Sequence, residues 1–138
     1  PHKRPRATLT PTLVTKGGRP YLAFGTPGGD AQEQWTLQFF LNYVEFGMNL
    51  QEALDAPTVH SVHFPSSFYP REAYPGRLMV ESRVPGKVRE QLKSRGHQVV
   101  TRDAWANGKV MAIRYDEDHG TIWGAVSAKG EVGYAIGW

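Results

Sequence analysis

The 138-residue sequence contains no cysteine. That absence excludes disulfides, thiolate nucleophiles and cysteine-ligated metal in one step. It leaves the compartment open, because reducing and oxidising surroundings both hold cysteine-free domains. No apolar run approaches the ~20 residues of a membrane-spanning helix, and no secretory leader opens the chain, so no membrane partner is expected. The sequence starts at Pro1 rather than methionine. The expectation is a processed or excised piece of a longer polypeptide. Charge of one sign is also scarce. Sixteen basic against thirteen acidic residues leave +3, and the excess lies mostly in His2-Lys3-Arg4-Pro5-Arg6. So small and local an excess reads as a solvated or salt-bridged tail, not as a nucleic-acid footprint. Repeats and low-complexity tracts are lacking too. With 40% hydrophobic and 21% charged residues, residues 1–138 read as one globular domain with a real core.

What is present centres on Phe24-Gly25-Thr26-Pro27-Gly28-Gly29-Asp30. The apolar run Tyr21-Leu22-Ala23-Phe24 enters as a strand, and a strongly helical run leaves. A strand turning through Gly-Gly into a helix N-terminus presents backbone N–H groups and the positive end of a helix dipole. Such a turn can bind an anion or stabilise a developing oxyanion. It can equally be an ordinary turn whose glycines relieve φ strain. Local features leave both readings standing.

Around this turn the chain alternates elements. Thr8–Thr15 and Pro20–Phe24, separated by Lys16-Gly17-Gly18-Arg19, predict a hairpin. Asp30 with Glu33 predicts a capped helix ending near Gly47. At ~100° per residue, Trp35, Phe39, Tyr43 and Phe46 form one apolar stripe, and Leu37, Phe40, Leu41 and Val44 another. Gln34, Gln38, Asn42 and Glu45 fill only a narrow strip between them. Two apolar faces predict a helix sandwiched between layers, one of them supplied by a partner segment. Asn49 and Glu52 cap a short second helix that Pro57 stops. Thr58–Phe64 predicts a strand with His60 and His63 on opposite faces. A proline- and aromatic-rich loop spans 65–75. Then come a strand at Arg77–Glu81, a helix at Pro85–Arg95 with Val88 and Leu92 inward, and a strand at Gln98–Thr101. Strands at Lys109–Tyr115, Thr121–Val126 and Gly133–Ile136 close the chain, with turns at Asp116–Gly120 and Lys129-Gly130. The class is α+β.

Chemistry-bearing residues are incomplete. The histidines (His2, His60, His63, His97, His119) lack helical metal spacing. The acidic Asp116-Glu117-Asp118 lacks the ligand spacing of a calcium loop, so no metal and no cofactor is expected. No Gly-x-Ser-x-Gly elbow or phosphate loop appears. A candidate oxyanion hole and the hydroxyls of Thr8, Thr10 and Thr12 are present without an activated nucleophile. That is the inventory of part of an enzyme.

Several segments, in order, resemble the C-terminal part of the small subunit of γ-glutamyltransferases. They are Arg4-Pro5-Arg6-Ala7-Thr8-Leu9-Thr10-Pro11-Thr12, Gly25-Thr26-Pro27-Gly28-Gly29, and Tyr43 through Pro57. Val80-Glu81, Arg95-Gly96-His97 and Gly124-Ala125 keep the same order. The resemblance covers nearly the whole chain. It implies an N-terminal-nucleophile hydrolase with an αββα sandwich of antiparallel sheets and flanking helices. It further implies a self-cleaving precursor whose newly exposed N-terminal threonine, upstream of Pro1, attacks a γ-glutamyl amide such as that of glutathione. Gly28 and Gly29 would supply the oxyanion hole. Partners would be the amide substrate, the rest of the small subunit and the large subunit. The fragment alone would be inactive, and its doubly apolar helix predicts that it is poorly stable or self-associates to cover one face.

Two departures bear on specificity. The family's Arg-Pro-x-Ser-Ser-Met-Ser-Pro-Thr segment carries a serine pair that holds the substrate's α-carboxylate. Here Ala7 and Thr8 stand in its place, and Ala7 cannot donate a hydrogen bond. Asp30 stands where serine is common, setting a negative charge beside an anion-binding turn. Both changes point to the acylase-like branch of the family, which includes β-lactam side-chain acylases, or to another amide. A non-catalytic binding module that kept the fold is the reading from a different class.

Overall fold

A computed structural model describes residues 1–129, 133, 134 and 136. An antiparallel sheet in the order β1-β2-β6-β7 joins β1 (Thr12–Lys16), β2 (Arg19–Gly25), β6 (Met111–Asp116) and β7 (Thr121–Val126). A second sheet, β3-β4-β5, is mixed: β3 (Val59–Ser61) runs antiparallel to β4 (Arg77–Glu81), which pairs in parallel with β5 (Gln98–Arg102). The expectation of antiparallel sheets therefore holds for the first sheet and for one pair of the second. The parallel pair follows from its connection, since helix α3 (Gly86–Ser94) carries the chain back between β4 and β5.

The first hairpin is tight. Lys16 pairs with Arg19, and Gly17 and Gly18 both take positive φ (59° and 80°), the pair of conformations a two-residue hairpin turn requires. Strand β1 begins at Thr12 and not at Thr8; Thr8 and Thr10 are instead bonded to the Gln32 side chain.

Helix α1 (Gln32–Val44) packs one face on the first sheet, and helix α2 (Leu50–Asp55) completes the layer. The core joins Leu22, Phe24 and Ala112 of the sheet to Phe39 of α1 and to Leu50, Ala53 and Leu54 of α2. Phe24 meets Phe39 edge-on at 5.0 Å and stacks with Phe40 at 6.1 Å. Tyr43 turns inward as well, and its hydroxyl lies 3.2 Å from that of Tyr21. Burial and that contact push the Tyr43 phenol up to about 12. The two stripes are thus redistributed. Phe40 joins the core, while Phe46, beyond the helix end, is 70% exposed. Leu37, Leu41 and Val44 form the outward apolar face, all of them exposed.

The narrow polar strip of α1 carries a structural task. Gln38 donates to the Val59 carbonyl at 2.7 Å and accepts from its N–H at 3.0 Å. Gln34 does the same to Ser61, at 3.0 and 2.7 Å. Two carboxamides one helical turn apart thereby act as a strand edge for β3 and dock the second sheet onto the helix.

The capping expectations divide. Asn49 Oδ1 accepts from Glu52 N–H at 2.9 Å, and Asn49 N–H donates to Glu52 Oε2 at 3.0 Å, closing the box of α2. Asp30 does not cap α1. A 3₁₀ turn (Gly29–Ala31) intervenes, the N-cap is Ala31, and no side chain caps it. In α3 Leu92 is half-buried, but Val88 is 40% exposed; among the described residues the helix packs mainly along β5. Of the expected last strand, Gly133, Tyr134 and Ile136 are not in strand conformation and Ala135 lies outside the described residues. So does Gly130 of the preceding turn.

Candidate active-site turn

Strand β2 ends at Gly25, and Thr26 fixes the start of the glycine turn. The Thr26 hydroxyl donates to the Pro27 carbonyl at 2.8 Å and accepts from Lys109 N–H at 3.1 Å, tying the turn to the segment entering β6. Gly28 and Gly29 adopt φ of 148° and 55°, a region side chains rarely enter. At Gly28 there is a second reason for glycine: a Cβ there would overlap the indole of Trp35. Trp35 also lies beneath Gly108, where a Cβ would stand 3.3 Å from Cγ. His60 meets the same indole edge-on at 5.1 Å. Burial, with the Arg102 charge adding to it, holds the His60 imidazolium below the ordinary histidine range.

Gln32, at 6% exposure, is the buried hub of the turn. In the amide orientation that satisfies all its partners, Nε2 donates to the Thr8 carbonyl at 2.7 Å and to Thr10 Oγ1 at 3.1 Å, while Oε1 accepts from Gly29 N–H at 3.2 Å. One side chain therefore bridges the Thr8–Thr10 segment and the glycine turn, joining Thr10 to Gly29, 19 residues further along the chain. It also engages one of the two N–H groups expected to face an oxyanion. Thr8 is half-buried and Ala7 exposed. The Thr10 hydroxyl is engaged by Gln32, and that of Thr12 donates to the Thr10 carbonyl at 3.3 Å, so neither is activated by a base.

Asp30 turns away from α1. Its Oδ2 accepts from Ser67 N–H at 2.6 Å and Ser66 Oγ at 3.3 Å. The Ser67 hydrogen bonds, with smaller help from Ser66 and the Arg6 charge, hold its carboxyl below the usual aspartate value. The charge beside the turn is thus engaged by the 65–75 loop.

His63 lies beyond β3, and its Nδ1 accepts from Gly76 N–H at 2.9 Å. Nothing brings it to His60. At the acidic hairpin tip, Asp116 Oδ2 lies 3.2 Å from His119 Nδ1 and 3.6 Å from the Arg114 guanidinium. Among the described residues, no cluster of three His, Cys, Asp or Glu could hold a metal.

Sequence reasoning did not find Gln32, Trp35 or the Ser66–Phe68 contact. It also missed a buried network behind the turn. Glu81 and Lys129 are 0% and 1% exposed and lie 3.2 Å apart. Glu81 also accepts from Thr58 at 2.9 Å and from Arg83 at 2.6 Å, and Lys129 donates to the Ala56 carbonyl at 2.7 Å. Burial alone would raise the Glu81 carboxyl. The Lys129 ammonium and the hydrogen bonds outweigh it and hold Glu81 below the ordinary glutamate value.

Comparison with known proteins gives the family of the chain. The family model described as Gamma-glutamyltranspeptidase matches residues 1–138. The glutathione hydrolase proenzyme of Bacillus subtilis (strain 168) is 33% identical over 137 residues, covering 99% of this chain and 21% of that protein. The solved structure of LmbA2991HD is 43% identical and superposes with a TM-score of 0.92, over 100% of this chain and 25% of that one. The cephalosporin acylase from Bacillus halodurans is 29% identical with a TM-score of 0.73, over 93% and 22%. The chain therefore spans a quarter or less of each of these relatives.

Proposed function

The chain belongs to the γ-glutamyltranspeptidase family, and from that premise we propose that it is the C-terminal part of the small subunit of an amide hydrolase or acyltransferase. Its α+β fold is that of part of an N-terminal-nucleophile hydrolase sandwich. In the full-length protein a threonine upstream of Pro1, freed by self-cleavage, is the nucleophile. Its hydroxyl oxygen bonds to the amide carbon while the α-amine takes the proton. Collapse of the tetrahedral intermediate breaks the C–N bond, and the leaving nitrogen receives that proton. Water or an amine then attacks the ester and regenerates the threonine. Backbone N–H groups at Gly28 and Gly29 face the oxyanion, and the Gly28 donor is the freer of the two because Gln32 holds that of Gly29.

The observation that carries this reading is the turn itself: two positive-φ glycines between β2 and α1, shaped by Trp35 beneath and Gln32 beside. Ala7 and Thr8 would flank the acyl donor, and the rest of the small subunit and the large subunit would complete the site. A second reading, acylase activity without γ-glutamyl preference, is favoured by Ala7, whose methyl group cannot hold an α-carboxylate. The test is turnover by the full-length processed protein of a γ-glutamyl anilide against a glutaryl anilide. Faster γ-glutamyl cleavage supports the first reading and faster glutaryl cleavage the second. Hydrolysis of neither overturns both.

A further inference from the structure

The loop that Asp30 holds has a defined shape. Ser66 Oγ, bonded to Asp30, also accepts from Phe68 N–H at 3.1 Å, and Arg71 N–H closes back onto the Phe68 carbonyl at 2.7 Å. Ser66 N–H reaches the Glu72 carbonyl at 2.8 Å. Both backbone groups of Phe68 are therefore fixed, and its ring is delivered against Gly29. A Cβ at Gly29 would lie 3.0 Å from Phe68 Cε2 and 3.6 Å from Cζ. The ring nevertheless stays 56% exposed. One edge packs on the glycine turn and the remainder is open to solvent. An aromatic ring in the core would be covered, and one on an idle loop would not need both of its backbone groups hydrogen-bonded to set its position.

We propose that Phe68, held over Gly29 through the Asp30–Ser66–Ser67 tether, is an aromatic subsite for a flat apolar or aryl group lying next to the scissile carbonyl of the amide. This rests on the amide-hydrolase reading and deepens it by substrate class. Such a group gains stacking area on the ring without needing a charged partner. The group has two sources, the acyl part or the amine part of the amide, and substrates distinguish them.

The experiment uses the full-length processed protein, wild type and Phe68→Ala, Phe68→Tyr and Asp30→Ala. Four amides are compared: phenylacetyl against acetyl on a common amine, and γ-glutamyl anilide against γ-glutamyl ethylamide. Both kcat/KM and calorimetric Kd are measured. Phe68→Ala is expected to lower the aryl-to-alkyl ratio by about fivefold in one pair, which identifies the side of the amide that stacks. Phe68→Tyr restores the ratio, and Asp30→Ala lowers it because the loop is released. A ratio unmoved by Phe68→Ala in both pairs overturns the subsite. Should no amide be hydrolysed, the hydrolase reading falls, and the Kd ratios alone decide the subsite by the same criterion.

Discussion

The indole of Trp35 fills the space that a side chain on Gly28 would need. Helix α1 thus shapes the floor of the glycine turn through this side chain, and no Cβ can be added at Gly28 without displacing the indole. Gly28→Ala must displace the indole and hold an alanine at a φ of 148°. The expected cost is about 1–3 kcal/mol from overpacking alone, with amide turnover in the full-length protein falling further than stability. Urea unfolding and kcat measured together check this. Gly29→Ala, at φ 55° and against Phe68, should behave alike.

Gln38 stands in for a missing strand. Replacing it with alanine leaves the Val59 N–H and carbonyl without their partner. Each uncompensated group costs ~1–3 kcal/mol where it stays buried. The release should be local. Amide hydrogen exchange is expected to accelerate at Val59–Ser61 while the β1-β2-β6-β7 sheet stays protected. Uniform acceleration across both sheets would show that β3 is not an independently docked edge.

The Glu81–Lys129 pair predicts a pH dependence. The Glu81 carboxyl is held below its ordinary 4.5 in the folded chain. Its stability contribution is therefore fully present above pH 4.5 and is lost as pH falls through the lower folded value. Glu81→Gln leaves the Lys129 ammonium buried without its counter-charge and should destabilise by about 3–5 kcal/mol. It should also flatten the acid limb of the stability profile, which thermal melts from pH 3 to 7 measure.

The isolated 138-residue chain should neither cleave a γ-glutamyl anilide nor remain monomeric. Leu37, Leu41 and Val44 of α1 are exposed on one side, and Leu13, Ile113 and Ile122 of the first sheet are 65%, 56% and 73% exposed on the other. Apolar area of that extent is normally covered. Sedimentation should show self-association at micromolar concentration. A monodisperse monomer, or measurable turnover, would contradict the fragment reading.

How far the sequence carried can be read from individual residues. Hairpin, α1, α2 and β4 followed from local period and turn chemistry, because Gly17-Gly18 and the Asn49–Glu52 box act within a few residues. Asp30 misled, because a good N-cap residue was claimed by Ser67, 37 residues away, and a 3₁₀ turn spaced it from the helix. Gln34 and Gln38 read only as part of a narrow polar strip, yet their carboxamides hold Ser61 and Val59, and Gln32, which carried no local signal, holds Gly29. Lys129 and Glu81 gave no signal, since a buried ion pair between distant elements has no local period. The glycine turn was legible as a shape, and only the family resemblance gave it a chemistry.

In the proposed function the Gly28-Gly29 turn serves a threonine that becomes acylated. Full-length processed protein, mixed with a γ-glutamyl or glutaryl anilide and quenched in acid within milliseconds, can be weighed intact by mass spectrometry. The small subunit is expected to gain the mass of the acyl group at its N-terminal threonine, and Gly28→Ala to diminish this adduct. Release of aniline with no adduct on the small subunit, or an adduct on any other residue, would contradict it.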